Sequence, residues 1–243
     1  MRSAINPVVL AVLLVTWFLP MQVHGDQFSV LAEVHKYYEQ VTQFENGKST
    51  QSLDDLYLDG DVLADELTKV LESLSAQDYE LAQQEMKGFI VFREEIVGVE
   101  PKWVFFKELA QSKGSKEAID FFTFMAELYG DGIWKVYEQQ VTDYSSCGSY
   151  GDGTRTKLYL AATKIKPPVN QVYRTKLDKE IVELKESLVG DNICVCDGPD
   201  TAINELSLFV KKAKDANIRP DVEKLLAKIK AGKSTVRFNC HPG

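Results

Sequence analysis

The stretch DNICVCDGPD, residues 191–200, sets two cysteines one residue apart between two segments of helical periodicity. Three chemistries are open to such a pair: a metal clip, a redox couple, or the ends of two separate disulfides. The chain has four cysteines, Cys147, Cys194, Cys196 and Cys240, and an even set in an exported chain points to disulfides. A bond between Cys194 and Cys196 themselves closes a tiny, strained ring. The two neighbours are therefore expected to hold two different segments, either as Cys147–Cys194 with Cys196–Cys240 or as Cys147–Cys196 with Cys194–Cys240. Each bridge closes a loop of about 45 residues, for which the chain-entropy gain is roughly 4 kcal/mol. A zinc set of Cys194, Cys196, Cys240 and His241 has suitable ligands, but its one-residue spacing is tighter than structural zinc sites use. A redox pair wants a two-residue spacer in a strand-helix setting, which this stretch lacks.

Export is itself read from the sequence. The opening MRSAINPVVLAVLLVTWFLPMQVHG has Arg2 before an apolar run from Val8 to Leu19, a break at Pro20, and small residues near Gly25. That run is too short for a helix spanning a bilayer, which needs about 20 apolar residues. Residues 1–25 are expected to be a cleaved signal peptide that leaves no stable membrane anchor, and the mature chain is expected to be periplasmic or secreted.

Charge divides the remainder. Residues 26–146 hold 24 Asp and Glu against 10 Lys and Arg, a net of −14, while residues 147–243 hold 12 against 17, a net of +5. With all four cysteines on the basic side, a division into an acidic helical subdomain, 26–146, and a basic one, 147–243, is expected. The basic part places Lys211, Lys212, Lys214 and Lys224, Lys228, Lys230 on amphipathic segments without interleaved aromatics, which reads as solvated helix faces rather than a nucleic-acid surface.

Apolar residues recur at three- and four-residue intervals over most of the chain, and little alternates with period two. Phe28, Leu31, His35, Tyr38 and Val41 form one such stripe, stopped by Asn46-Gly47. Ser52-x-x-Asp55, Ser75-x-x-Asp78 and Ser115 read as helix starts. Asp61 opens a further run, and Pro220 suits the first turn of another. Helices are also expected over RTKLYLAATKI, from about Pro168 to Leu188, and from near Asp200; STVRFNC reads as a short extended tail. The fold class expected is all-α, a disulfide-tied multi-helix bundle. Trp103, Phe106, Phe121, Phe122, Phe124 and Trp134 are expected to form an apolar core or to line a cavity for an apolar ligand.

No motif calls for a cofactor or a metal. AGKST, residues 231–235, has Ala227 where a phosphate-binding loop needs its first glycine. GSYGDG, 148–153, reads as a plain turn, and Ser149 has no nucleophile-elbow frame. His35 reads as a core histidine, and adjacent carboxylates such as Asp54-Asp55 and Glu94-Glu95 read as surface pairs.

CGSYGDG, a cysteine beside a Gly/Tyr turn entering a helix, ICVCDGPDTAINELSLFVKKAK, a cysteine leading into an amphipathic helix, and DVEKLLAKI followed by RFNC together resemble the Rap1a/Tai family of periplasmic immunity proteins, over residues 147–240. The family's turn runs Cys-x-Gly-aromatic-aliphatic-x-Gly, an order this chain departs from. The resemblance implies a helical protein that neutralises a toxin enzyme by binding it, with Gly148, Ser149, Tyr150 and Gly151 as the partner-contact turn. The functional expectation is accordingly a binding protein that occludes another protein and is not itself an enzyme. A carrier of an apolar small molecule and a hydrolase with carboxylates assembled by the fold stand as alternatives.

Overall fold

The computed structural model describes residues 21–142 and 145–240, with side chains from residue 29. The elements run α1 Met21–Glu45, α2 Leu53–Val70 with a 3-10 turn over Leu71–Ser73, α3 Ala76–Glu85, β1 Phe89–Arg93, β2 Val97–Pro101, α4 Trp103–Lys113 and α5 Lys116–Tyr129. They continue with β3 Glu138–Thr142, β4 Ser145–Gly148, α6 Thr154–Ala162, α7 Gln171–Val189, α8 Pro199–Lys212 and α9 Arg219–Lys230. The first 20 residues of the expected signal peptide lie outside the described residues, as does His241. The protein is mostly helical but not strictly all-α, because β1 pairs with β2 and β3 with β4 in two small sheets.

Several helix starts follow from local chemistry. Ser52 Oγ accepts from the Asp55 amide at 3.1 Å and donates to its carboxylate at 2.6 Å. Ser75 and Asp78 repeat the arrangement, and Ser115 Oγ accepts from the Ala118 amide at 3.1 Å. Each pairing satisfies an amide that the helix itself leaves without a partner. Asn46-Gly47 stops α1 as expected, with Gly47 at φ 68°. Asp61 opens no separate helix: it lies within α2.

The described chain divides into two compact units. Unit 1 comprises the residues up to Ser49, Asp59–Lys87 and Val91–Val99; unit 2 comprises Thr50–Leu58, Gly88–Ile90 and Glu100 onward. The boundary expected near Cys147 falls inside unit 2, because β3 and β4 pair across it, Gln139 opposite Cys147.

In unit 1, α1 packs on α3. Its buried face is Val34, Tyr37, Val41 and Phe44. This differs from the expected stripe, since His35 and Tyr38 are exposed. Both stripes have helical spacing, but the buried one carries Phe44 where the other spends a position on an ionisable imidazole. His35 is thus no core histidine. It hydrogen-bonds Glu85 at 3.0 Å and lies 3.7 Å from Glu39, which raises its pKa above 6.5, the Glu85 hydrogen bond being the first cause. Arg93 donates to the carbonyls of Leu71 and Leu74 and lies 4.3 Å over the Tyr79 ring, so the hairpin strand ties down the end of α2.

Unit 2 has an aromatic centre. Tyr57 meets Phe106 at 5.0 Å and Phe122 at 5.2 Å edge-on, and Phe121 stacks on Tyr173 at 4.5 Å. Edge-to-face and offset arrangements at these distances are the favourable ones for aromatic pairs. Phe89, the first residue of β1, joins this centre against Phe106 at 5.5 Å. A second layer forms where Tyr159 of α6 meets Phe209 of α8 at 5.1 Å, with Leu206, Val222 and Leu225 also buried.

Candidate functional site

Cys-x-Cys is a short extended strand flanked on both sides. Gly148 donates its amide to the Cys194 carbonyl at 2.8 Å and accepts from the Cys196 amide at 3.0 Å, while Val195 donates to Arg237 at 2.9 Å. Both bridges are parallel. Backbone of this kind sends residues i and i+2 to the same face, and here the two sulfurs find different partners. Cys147 bonds Cys196 and Cys194 bonds Cys240, with Cα separations of 5.0 and 6.0 Å. No free cysteine remains among the described residues. Of the two pairings the sequence left open, the fold shows this one, with β4 and the RFNC tail on opposite edges of the Cys-x-Cys strand.

The turn after Cys147 is built around two buried charges. Glu205 of α8 is fully buried and accepts from the amides of Gly151 at 3.2 Å, Gly153 at 2.7 Å and Thr156 at 3.0 Å, and from the Thr156 hydroxyl at 2.8 Å. The glycine-rich turn and the first turn of α6 thus form an anion cradle, and the protein's own carboxylate occupies it. Sequence reading took the turn as plain; its ligand is 54 residues away from Gly151 and has no local signature.

Arg155, 2% exposed, is the second. Its guanidinium lies 3.6 Å from the centre of the Tyr150 ring and 4.2 Å from that of Tyr137. It donates to the Ser149 carbonyl and, at 3.4 Å, to that of Tyr137. Ring faces and carbonyls, rather than a carboxylate, stabilise this charge. Glycine at residue 148 leaves room for this group, since a Cβ there would lie 2.2 Å from the guanidinium and displace it. Of the turn residues expected to meet a partner, Tyr150 is buried, Gly148 and Ser149 are half-buried, and Gly151 is exposed.

A third group of charges joins the loop between α5 and β3 to α7. Lys135, 7% exposed, donates to Glu183 and lies 3.3 Å from Glu180, which accepts from the Tyr129 hydroxyl at 3.0 Å. Burial works against the Lys135 charge, yet its hydrogen bond to Glu183 and the charge of Glu180 more than offset it and hold its pKa above the usual lysine value. Burial, reinforced by Glu180, raises the Tyr129 hydroxyl. Burial also pushes Tyr137 up to about 12 and raises Glu138 despite nearby Lys135 and Arg155. Two carboxylates do converge here, with a lysine held between them as an ion pair. Asp54, read as a surface residue, accepts from Tyr173 at 2.6 Å and from Asn170 at 3.0 Å, anchoring the start of α7.

The expected apolar cluster is brought together in part. Trp103, Phe106, Phe121 and Phe122 lie ring against ring, with Trp103 at 6.2 Å from Phe121 and Phe106 stacked on Phe122 at 5.5 Å. Phe124 is buried and lines an open cleft of about 450 Å³ between α5 and α6, while Trp134 is half-buried away from these rings. Interdigitated rings of this kind fill the centre and stabilise it as core.

Charge also divides by unit. From residue 26, the parts of unit 1 hold 14 Asp and Glu against 5 Lys and Arg, a net of −9, and unit 2 holds 22 against 22. On α2 of unit 1, Val62 is 56% exposed, with Asp59, Asp65 and Glu66 at helical neighbour spacing and all three exposed. No helix among the described residues is long and apolar enough to cross a membrane, and no group of three metal-ligating side chains occurs among them. No family model matches this chain, and no curated protein or solved structure matches it either.

Proposed function

We propose that this chain is an exported, disulfide-tied binding protein that occludes a cationic surface of a partner protein, with unit 1 as the contact body. The observation that carries the reading is the confinement of the mature chain's negative charge, −9, to unit 1 while unit 2 is neutral. A field of one sign steers an oppositely charged partner and sets register more than it adds raw affinity. Val62, exposed among acids, supplies apolar area that binding would bury. The apolar opening segment and the two closed disulfides support an oxidising compartment. An inhibitor of the immunity type, as the likeness of residues 147–240 implies, is one form of the same activity.

The test starts from the native host's exported fraction, from which the tagged chain retains its partner at low salt. The partner is then purified and titrated against the chain and against the triple variant Asp65→Lys, Glu66→Lys, Glu72→Lys. Charge reversal is expected to weaken binding by about tenfold or more, mainly through slower association, and raised salt to act in the same direction. A chain that elutes alone at low salt, or a complex indifferent to the triple reversal, refutes the reading.

A further inference from the structure

Three open clefts indent unit 2, and their charges are balanced differently. The one lined by Lys116 and Asp120 holds that pair at 2.8 Å. The smaller one, about 300 Å³, is lined by Lys224 and Asp221 and closed by the ion pair of Lys228 with Asp191. The third, about 470 Å³, lies among α6, α7 and the loop between α8 and α9, and carries Lys185, Lys212 and Lys214 against a single acid, Asp215. Ion pairs of the described residues include none of these three lysines.

We infer that this cleft binds a phosphomonoester with a small apolar body, a ligand of the dianionic class. Three lysines and one aspartate leave a net charge of +2, which a phosphomonoester, carrying about −1.5 to −2 near neutral pH, neutralises. Helix-end compensation explains Lys212, the last residue of α8, since cations stabilise the exposed carbonyls there. It does not explain Lys185, which comes from α7, or Lys214, which lies beyond the helix. The cleft has an apolar side as well: Leu160 of α6 and Ile181 of α7, the latter one turn before Lys185 on the same face. Its floor is rigid, for Tyr159 is 2% exposed, packs on Phe209 and donates its hydroxyl to Asn217 at 3.1 Å. That bond orients the Asn217 amide, whose N–H2 group can donate to an anion. Arg219 donates to the Lys214 carbonyl at 3.3 Å and so holds the loop that carries two of the cleft's charges. The volume falls within the range of small-ligand sites, roughly 300–1,000 Å³.

Phenyl phosphate, inorganic phosphate and benzoate are the probes, titrated into the disulfide-intact chain while amide and lysine resonances are followed by NMR. Phenyl phosphate is expected to bind saturably, with shifts confined to the cleft, and at least about fivefold more tightly than benzoate, which has the ring without the second charge, or than phosphate, which has the charge without the ring. The variant Lys185→Gln, Lys214→Gln is expected to lose about tenfold in affinity. Asp215→Asn, which removes the opposing charge, is expected to tighten binding about two- to threefold, a gain that impaired folding does not produce. Equal affinity for benzoate and phenyl phosphate, shifts spread over the other lysines, or a lysine variant that binds as before would each overturn the inference.

Discussion

Removing the carboxylate of Glu205 should unfold unit 2 at markedly lower denaturant. In Glu205→Ala, four donors lose their acceptor at once: the amides of Gly151, Gly153 and Thr156 and the Thr156 hydroxyl. They do not suffer alike. Gly151 is exposed and its amide rehydrates, whereas Thr156 is 1% exposed and keeps both donors dry. A buried donor left without a partner costs about 1–3 kcal/mol, so two at Thr156 with a part share from Gly153 give about 3–5 kcal/mol. That corresponds to a fall of roughly 6–20 °C in Tm for a unit of this size, at about 2–4 °C per kcal/mol. Glu205→Gln keeps the shape but sets an amide N–H2 against donors on one side, and should cost about 2–3 kcal/mol. Urea titration followed by tyrosine and tryptophan fluorescence, with disulfides intact, reads both. An Ala variant within about 1 kcal/mol of the parent, or a Gln variant worse than Ala, would refute the account of the turn as a filled anion cradle.

Alkylating the unreduced chain should add no mass and alkylating the reduced chain should add four groups, and peptide mapping should return Cys147 with Cys196 and Cys194 with Cys240; a Cys147–Cys194 peptide would contradict the fold around the Cys-x-Cys strand. Cys196→Ser with Cys147→Ser, which opens the loop of separation 49, should cost about 4 kcal/mol in a denaturant titration, and a loss under about 1 kcal/mol would sink the staple role. Arg155→Lys should lose about 2 kcal/mol although charge is retained, because ammonium does not stack between Tyr137 and Tyr150; an unchanged midpoint would show that charge alone matters there. His35 has a folded pKa above its unfolded value of 6.5, so the stability it contributes is complete below 6.5 and is lost as pH rises through the folded pKa. Stability curves of the parent and His35→Gln should therefore converge toward alkaline pH, and a gap that widens there would have the wrong sign.

Local features were legible and long-range ones were not. The serine caps at Ser52, Ser75 and Ser115 and the stop at Gly47 were readable because each partner lies within four residues, where backbone geometry leaves few arrangements. The stripe on α1 was misplaced because periodicity identifies faces but does not say which of two is buried; the buried one carries Val34, Tyr37, Val41 and Phe44. β1 and β2 escaped because five-residue strands embedded among helical periodicity are too short for alternation to register. At the candidate sites, Lys212 and Lys214 read from the sequence as a solvated face; only the approach of α7 sets Lys185 beside them.

The sequence by itself determined a mostly helical chain whose neighbouring cysteines serve two separate bridges, because ring strain and capping are local constraints. Tertiary structure alone decided which cysteine takes which partner, that a carboxylate in α8 fills the turn before α6, and that the net negative charge falls on a unit assembled from three stretches of chain. Those choices depend on contacts closed across about 50 residues. There the energy lies in burial and in satisfying polar groups that no short window of sequence brings together.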